Sequence, residues 1–393
     1  LVLHNYMDFD DLKDYVKISY ELTQDGLVIS KGKLPEVSAA PHSEGKINLK
    51  INVPESGKCY LKFIYHLKKE LPLLDEDHIL GFDEIEVSQK DAKCQLAEKW
   101  VEKTVTDSEL QVSEDDTQIH IKGREFAYTI DRRTALFTEM KFAGREYLNH
   151  PMELNIWRAP TDNDMYIKSE WKKAHYDKAY TRAYTTEVVQ GKHGVKITSH
   201  ASVVAETVQK ILDVTITWKI EAAGKIDADI AVTKDDEFPD LPRFGVRMFL
   251  DKKLSAARYF GMGPQESYCD KHQAASHGLY HANVDDLHED YIRPQENGSH
   301  YDCEYVELNN SRYGIVVSAE NAFSFNASYY TQEELEKKTH NYELTESDSV
   351  VFCVDYALNG IGSNSCGPVV LEQYRFDDVL FRFQFTLIPY IKG

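Results

Sequence analysis

The sequence predicts an all-β protein, built as a small sandwich followed by a large antiparallel one. Apolar and polar residues alternate in segment after segment, turn residues punctuate those segments, and helical periodicity is scarce. No period of about 20–50 residues repeats, which excludes a solenoid or propeller.

The small sandwich comes first. Val16, Ile18, Tyr20 and Leu22 alternate, and Asp25-Gly26 then offers a hairpin turn into Leu27-Val28-Ile29. Ile47, Leu49, Ile51 and Val53 alternate next, followed by the run Tyr60-Leu61-Lys62-Phe63-Ile64-Tyr65. Short strands at this density place the sandwich over residues 1–92. The text from Ser88 to Gln118 is acidic and poor in apolar residues, so 93–117 reads as a linker.

The large sandwich is expected over 118–393. Val214, Ile216, Trp218 and Ile220 share one strand face; Ile226, Ala228 and Ile230 form a second, and Phe244, Val246, Met248 and Leu250 a third. Phe381, Phe383, Phe385 and Leu387 give the chain a last strand with one core face. Many strands with few helices fit one large sandwich whose sheets pack face to face. Two helices are expected. Thr331 and Glu334 make a capping-box start for about two turns, and Lys168–Tyr180 forms the other.

Composition bounds the function. The 393 residues are two or three domains' worth and bury a core without staples. Apolar residues are 42% and charged residues 28%, an ordinary globular profile. No run of about 18 apolar residues exists to span a membrane as a helix. The net charge of −20 repels phosphate backbones, so nucleic acid is excluded as a partner and the acidity serves solubility. The start, Leu-Val-Leu-His-Asn-Tyr, has neither initiator Met nor leader pattern and is expected to be the cut end of a longer chain. The six cysteines are scattered with no C-x-x-C pair, which argues against a zinc ribbon or disulfide scaffold and suits a reducing cytoplasm.

Several loops admit both a structural and a functional reading. Trp157-Arg-Ala-Pro-Thr-Asp-Asn-Asp164 is either an ordered turn or a docking loop that buries Arg158 and the acids against another domain. Tyr259–Tyr268 has glycines and a proline but no G-x-G-x-x-G, so it is a turn and no phosphate loop. His272, His277, His281 and His288 crowd one stretch at spacings that match no common metal template, although His277 and His281 would share a helix face. Arg293–Gly298 is a further turn. The loop Asn359–Pro368 carries Gly360, Gly362 and Gly367, with Asn364, Ser365 and Cys366 as small hydrogen-bonding groups at its tip, suited to sugar hydroxyls. No carboxylate pair is marked by its context, and no nucleophile elbow, zincin helix or P-loop occurs.

Taken in order, five segments resemble the C-terminal signature of family 2 beta-galactosidases. They are Trp157–Asp164, Gly261–Tyr268, Arg293–Gly298, Phe325-Asn-Ala-Ser-Tyr-Tyr330 and Gly360-Ile-Gly-Ser-Asn-Ser-Cys-Gly-Pro368. Each alone is weak; five in sequence exclude chance. The first 90 or so residues are similar, more loosely, to the immunoglobulin-like sandwich that precedes this region. The resemblance implies an antiparallel supersandwich of the galactose mutarotase type for 118–393. It also implies that the acid/base and nucleophile glutamates sit in a (β/α)8 barrel N-terminal to this region, together with the ligands of Mg2+ and Na+. No βαβα pattern appears here, so no catalytic residue, metal or cofactor is expected within the chain.

One loop carries over to substrate. In relatives the segment matching Gly360–Pro368 enters the active site and sets a tryptophan against the sugar or its aglycone. Here the matching position is Cys366, which has no aromatic plane, and no tryptophan follows Trp218. Asn364, Ser365 and Cys366 are the expected substrate-binding residues. The leading expectation is therefore the support and active-site edge of a retaining beta-galactosidase acting on lactose-like β-D-galactosides. Its partner is the barrel of the same or another chain, in a cytoplasmic homo-oligomer. The alternatives are the small subunit of a split beta-galactosidase, or a stand-alone mutarotase-like epimerase using His272, His277 or His300 with a carboxylate.

Overall fold

The computed structural model describes residues 1–90, 92–101 and 110–392. The chain divides into two compact units, Leu1–Leu96 with His277–Leu279, and Ala97–Ser276 with Tyr280–Gly393. Within the stretch 93–117, read as a linker, residues 102–109 lie outside the described ones; a short helix, Glu98–Val101, and a strand, Gln111–Glu114, flank them.

The first unit holds a four-stranded antiparallel sheet in the order Leu27–Lys33, Val16–Gln24, Cys59–Leu67, Ile79–Glu86, and a two-stranded sheet of Val2–His4 with Glu44–Lys46. Asp25 and Gly26 both have positive φ (47° and 78°), the hairpin turn their sequence demands. Ile18, Leu22, Leu61 and Phe63 point from the larger sheet onto Leu3, Leu34, Val37 and Ile47. The alternating run Ile47–Val53 differs from expectation: it joins no ladder. Its side chains still alternate, Ile47 in the core with Leu49 and Ile51 packed against it, and the polar residues between them exposed. Periodicity reported the burial correctly, but burial does not require a paired backbone.

The second unit packs a five-stranded sheet, strands 111–146, against a twelve-stranded one. The long strands pair antiparallel, so Ile216, Ile230 and Phe383 form one row across three strands, and Trp218, Ala228 and Phe385 the next. All the expected core faces of this sheet are buried. Trp218 joins the two layers: its ring meets Phe137 edge-on at 4.9 Å, and its Nε1 donates to the Ala135 carbonyl at 2.8 Å. The all-β class and the order of small unit before large are as expected.

Both expected helices form, shortened. Ile167–Lys173 ends before His175, which takes a left-handed φ of 58°. Gln332–Lys337 starts on Thr331, whose hydroxyl accepts from the Glu334 N–H at 3.1 Å. The reciprocal half of the capping box is absent, because the Glu334 carboxylate accepts from the Thr345 N–H instead. Among the described residues, no helix is long and apolar enough to cross a membrane.

Candidate functional site

Four of the five signature segments converge in the second unit around a polar cleft of about 510 Å3. Thr161–Asn163, Glu266–Lys271, Gln295–Glu296 and Ile361–Ser365 each contribute to its wall. The fifth supports them from the sheet: Asn326 donates from Nδ2 to the Asn297 carbonyl at 2.6 Å.

Two buried arginines set the frame. Arg158 clasps Asp164 with Nε at 3.1 Å and Nη2 at 2.7 Å, and also donates to the carbonyls of Asn359 and Gly360. Asp164 completes its valence by accepting from the Thr161 N–H and hydroxyl. Arg243 clasps Asp355, and its Nη1 donates to Glu296 at 2.8 Å; the other Glu296 oxygen accepts from the Ala159 N–H at 3.1 Å. Burial opposes the Arg158 charge, but Asp164 and Glu296 outweigh it and hold the guanidinium above its ordinary pKa. The docking expectation for the 157–164 loop is thereby corrected. Arg158 and Asp164 are braces inside their own unit, with their hydrogen bonds satisfied there. Asp162 alone of the acids is exposed.

The glycine-rich loop hangs on this frame. Asp270 accepts from the N–H groups of Ile361 (2.9 Å) and Gly362 (2.7 Å). Asn163 donates to the Gly362 carbonyl at 2.7 Å and accepts from the Ser365 N–H at 3.3 Å. Gly360 is required by this close approach, since a Cβ there would lie 2.9 Å from the Asp270 carboxylate. Gly362 has a φ of +64°. Beyond these ties the loop is open. Asn364 is half-buried, Ser365 and Cys366 are exposed, and Ser365 is the one of the three that lines the cleft.

Glu266 is the cleft's most densely bonded carboxylate. It accepts from the Gly298 N–H at 2.8 Å, the Tyr268 hydroxyl at 3.4 Å, the Lys271 ammonium and the Tyr291 hydroxyl. Burial, then this carboxylate, pushes the Tyr291 phenol up, so Tyr291 remains a donor at neutral pH. Glu266 is thus held as an acceptor by its partners, and Asp270 by the loop backbone.

Sequence reasoning missed Asp270, Glu266, Lys271, Tyr291 and the Arg243–Asp355 pair. Glu266 stood within a recognised segment, but Asp270 and Asp355 had no local signal; their partners Ile361 and Arg243 are 91 and 112 residues away in sequence. Of the histidines, His277 and His281 lie on the strand Ser276–Asn283 and not on a helix. His300 is wholly buried between Tyr259 and Phe325, and His272 meets the Tyr268 carbonyl through Nδ1 at 3.0 Å. Among the described residues no group of three or more His, Cys, Asp or Glu is placed to hold a metal.

The fold and the cleft define a two-unit all-β protein whose polar cleft is built by loops at the end of a large sandwich. Residues 122–387 match the family described as beta galactosidase small chain, and residues 1–88 match beta-galactosidase, domain 4. The chain belongs to the beta galactosidase small chain family. It is 43% identical over 390 residues to a beta-galactosidase of Actinobacillus pleuropneumoniae, covering 99% of this chain. A beta-galactosidase of Staphylococcus xylosus is 31% identical over 392 residues and covers 98%. The chain spans 38% of the length of each. A solved galactose 1-epimerase from Lactobacillus acidophilus NCFM aligns over 74% of this chain and 100% of its own, at a TM-score of 0.39 and 8% identity. The resemblance carried by the five segments is borne out.

Proposed function

We propose that this chain is the supporting portion and active-site edge of a retaining beta-galactosidase that hydrolyses terminal β-D-galactosides such as lactose. One observation carries the reading. The Gly360–Pro368 loop is braced at its base by Arg158, Asn163 and Asp270, yet leaves Ser365 and Cys366 exposed. Such a loop is pre-organised to meet a ligand held elsewhere. Val369 and Leu371, which follow it directly in the chain, are 58% and 60% exposed, apolar surface suited to cover by another domain. Asn364, Ser365 and Cys366 are the residues we assign to the sugar.

Of the four carboxylates lining the cleft, Glu266, Asp270 and Glu296 are engaged by donors and only Asp162 is exposed, whereas a retaining glycosidase needs a pair, a protonated acid and a free nucleophile. We therefore assign the chemistry, together with Mg2+ and Na+, to a (β/α)8 barrel outside these residues, in a cytoplasmic oligomer. The test is to assay the pure chain with an aryl β-galactoside, alone and with a barrel-bearing portion. Turnover should appear only with the barrel. Turnover by the chain alone, surviving further purification, would overturn the reading.

A further inference from the structure

Beside the loop cleft, and sharing Tyr268 with it, lies a second cavity of about 310 Å3 in the same unit. We propose that this second cavity binds a single pyranose ring of a neutral sugar. The inference goes beyond the function proposed above and does not rest on it.

The lining matches what a pyranose presents. A sugar ring offers apolar C–H faces and a rim of hydroxyls that both donate and accept. The cavity offers the rings of Tyr301, Tyr356 and Tyr374 for the faces, and Asp302, Arg375 and Asp378 for the rim. Burial first, and then Asp302, pushes the Tyr301 phenol up; burial and Asp378 do the same to Tyr356. Tyr301 and Tyr356 are therefore hydroxyl donors beside carboxylate acceptors, a mixed set that suits neither a hydrocarbon nor an anion.

These groups are also held in place. The Tyr356 ring stacks on Phe381 at 4.8 Å and 16°, and the Tyr301 ring on His272 at 5.7 Å and 28°. Arg375 is pinned by its Nε, which donates to the Val370 carbonyl at 3.1 Å. Tyr374 is tied at both backbone ends, donating to the Leu371 carbonyl and accepting from the Gly360 N–H. Asp302 takes a left-handed φ of 54° where the pairing of its strand shifts register between His300 and Cys303. Such bulges re-aim side chains, and they are enriched next to functional sites. A lining fixed before the ligand arrives loses little entropy on binding.

Size and charge narrow the ligand. Small-molecule sites run from about 300 to 1,000 Å3, so this cavity takes one ring and not a disaccharide. Two carboxylates against one guanidinium disfavour a phosphorylated sugar.

The experiment titrates the 393-residue chain with methyl β-D-galactopyranoside and with galactose 6-phosphate, by calorimetry and saturation-transfer NMR. Saturable binding is expected, with a Kd on the order of millimolar and weaker for the phosphate. Tyr374→Ala should weaken it roughly five- to tenfold and Tyr374→Phe hardly at all, because the ring and not the hydroxyl packs on the sugar. If Tyr374→Ala fails to fold, Asp302→Asn and Asp378→Asn carry the test, with circular dichroism to confirm their fold. The proposal is overturned by no saturation below about 100 mM, by wild-type affinity in both Asn variants, or by loss of binding in Cys366→Ala, which would put the sugar in the loop cleft.

Discussion

The Arg243 guanidinium meets the Asp355 carboxylate across two paired strands, Nε to Oδ1 at 3.1 Å and Nη2 to Oδ2 at 2.5 Å, and neither side chain reaches solvent. Gly245 makes room for it: a Cβ there would lie 2.4 Å from Asp355 Oδ1 and 2.2 Å from the Val354 carbonyl oxygen. Removing one partner of a buried pair leaves an uncompensated charge, which costs about 3–5 kcal/mol. Arg243→Met strands two carboxylates, Asp355 and Glu296, and should sit at the top of that range. Denaturant unfolding of the chain alone reads it directly. A loss below about 1 kcal/mol would show the pair to be replaceable by simple packing.

Arg158→Met should likewise destabilise the chain in isolation, by about 3–5 kcal/mol, because Asp164 and two carbonyls lose their donor. The observation that counts is stability without any other domain present. Wild-type stability alone, with a defect only on assembly, would restore the docking role that the geometry argues against.

His300 gives the chain a pH dependence. Burial holds its imidazole down at about 4, against an ordinary 6.5, so the unfolded chain takes up this proton before the folded one does. The associated stability is complete above about pH 6.5 and is lost as pH falls toward 4, up to about 3 kcal/mol. His300→Phe keeps a ring between Tyr259 and Phe325 without a titrating nitrogen. Unfolding free energies compared from pH 7 to pH 4 should fall less steeply in the variant. Parallel curves would assign the acid sensitivity to other groups.

How much of this was legible beforehand follows from the range of each interaction. Trp218, Ile230 and Phe383 declared their faces because period-two burial is a local property of a strand. The Asp25-Gly26 turn was legible because backbone sterics act within two residues. Ile47–Val53 misled, since alternation records which side faces the core and says nothing about a ladder partner. The loops were visible as composition, but their convergence was not. Asp270 holds Ile361 and Gly362 from 91 and 92 residues away, and no periodicity or propensity spans that distance. Arg158 was singled out correctly and placed wrongly, because a buried charge marks a partner without saying whose it is.

Asp270→Ala should free the glycine loop while leaving the sheet intact. The N–H groups of Ile361 and Gly362 lose their acceptor, an effect of about 1–3 kcal/mol if they stay dry and less if water replaces it. Hydrogen exchange at these two amides should accelerate well before any amide of the strand Ser349–Leu358 does. Uniform acceleration across both would mean that Asp270 stabilises the unit as a whole.

Cys366 offers the sharpest reading of where the loop goes. It is exposed, whereas Cys303 and Cys353 are buried, with burial pushing the Cys353 thiol up to about 12. A thiol reagent should therefore modify Cys366 ahead of those two in the isolated chain. In the barrel-bearing protein, on the function proposed here, a bound galactoside should slow that modification. Cys366→Trp then supplies the aromatic plane that this position lacks. A new aromatic contact is worth about 0.5–1.5 kcal/mol, so binding of an aryl aglycone should tighten by roughly two- to tenfold. The chemical step should change little, because a contact made equally in ground and transition states leaves kcat alone. Inhibition constants for aryl thiogalactosides and kcat for one aryl galactoside separate these effects. Unprotected Cys366 at saturating galactoside, together with unchanged inhibition by Cys366→Trp, would remove the loop from the substrate and leave it a structural turn.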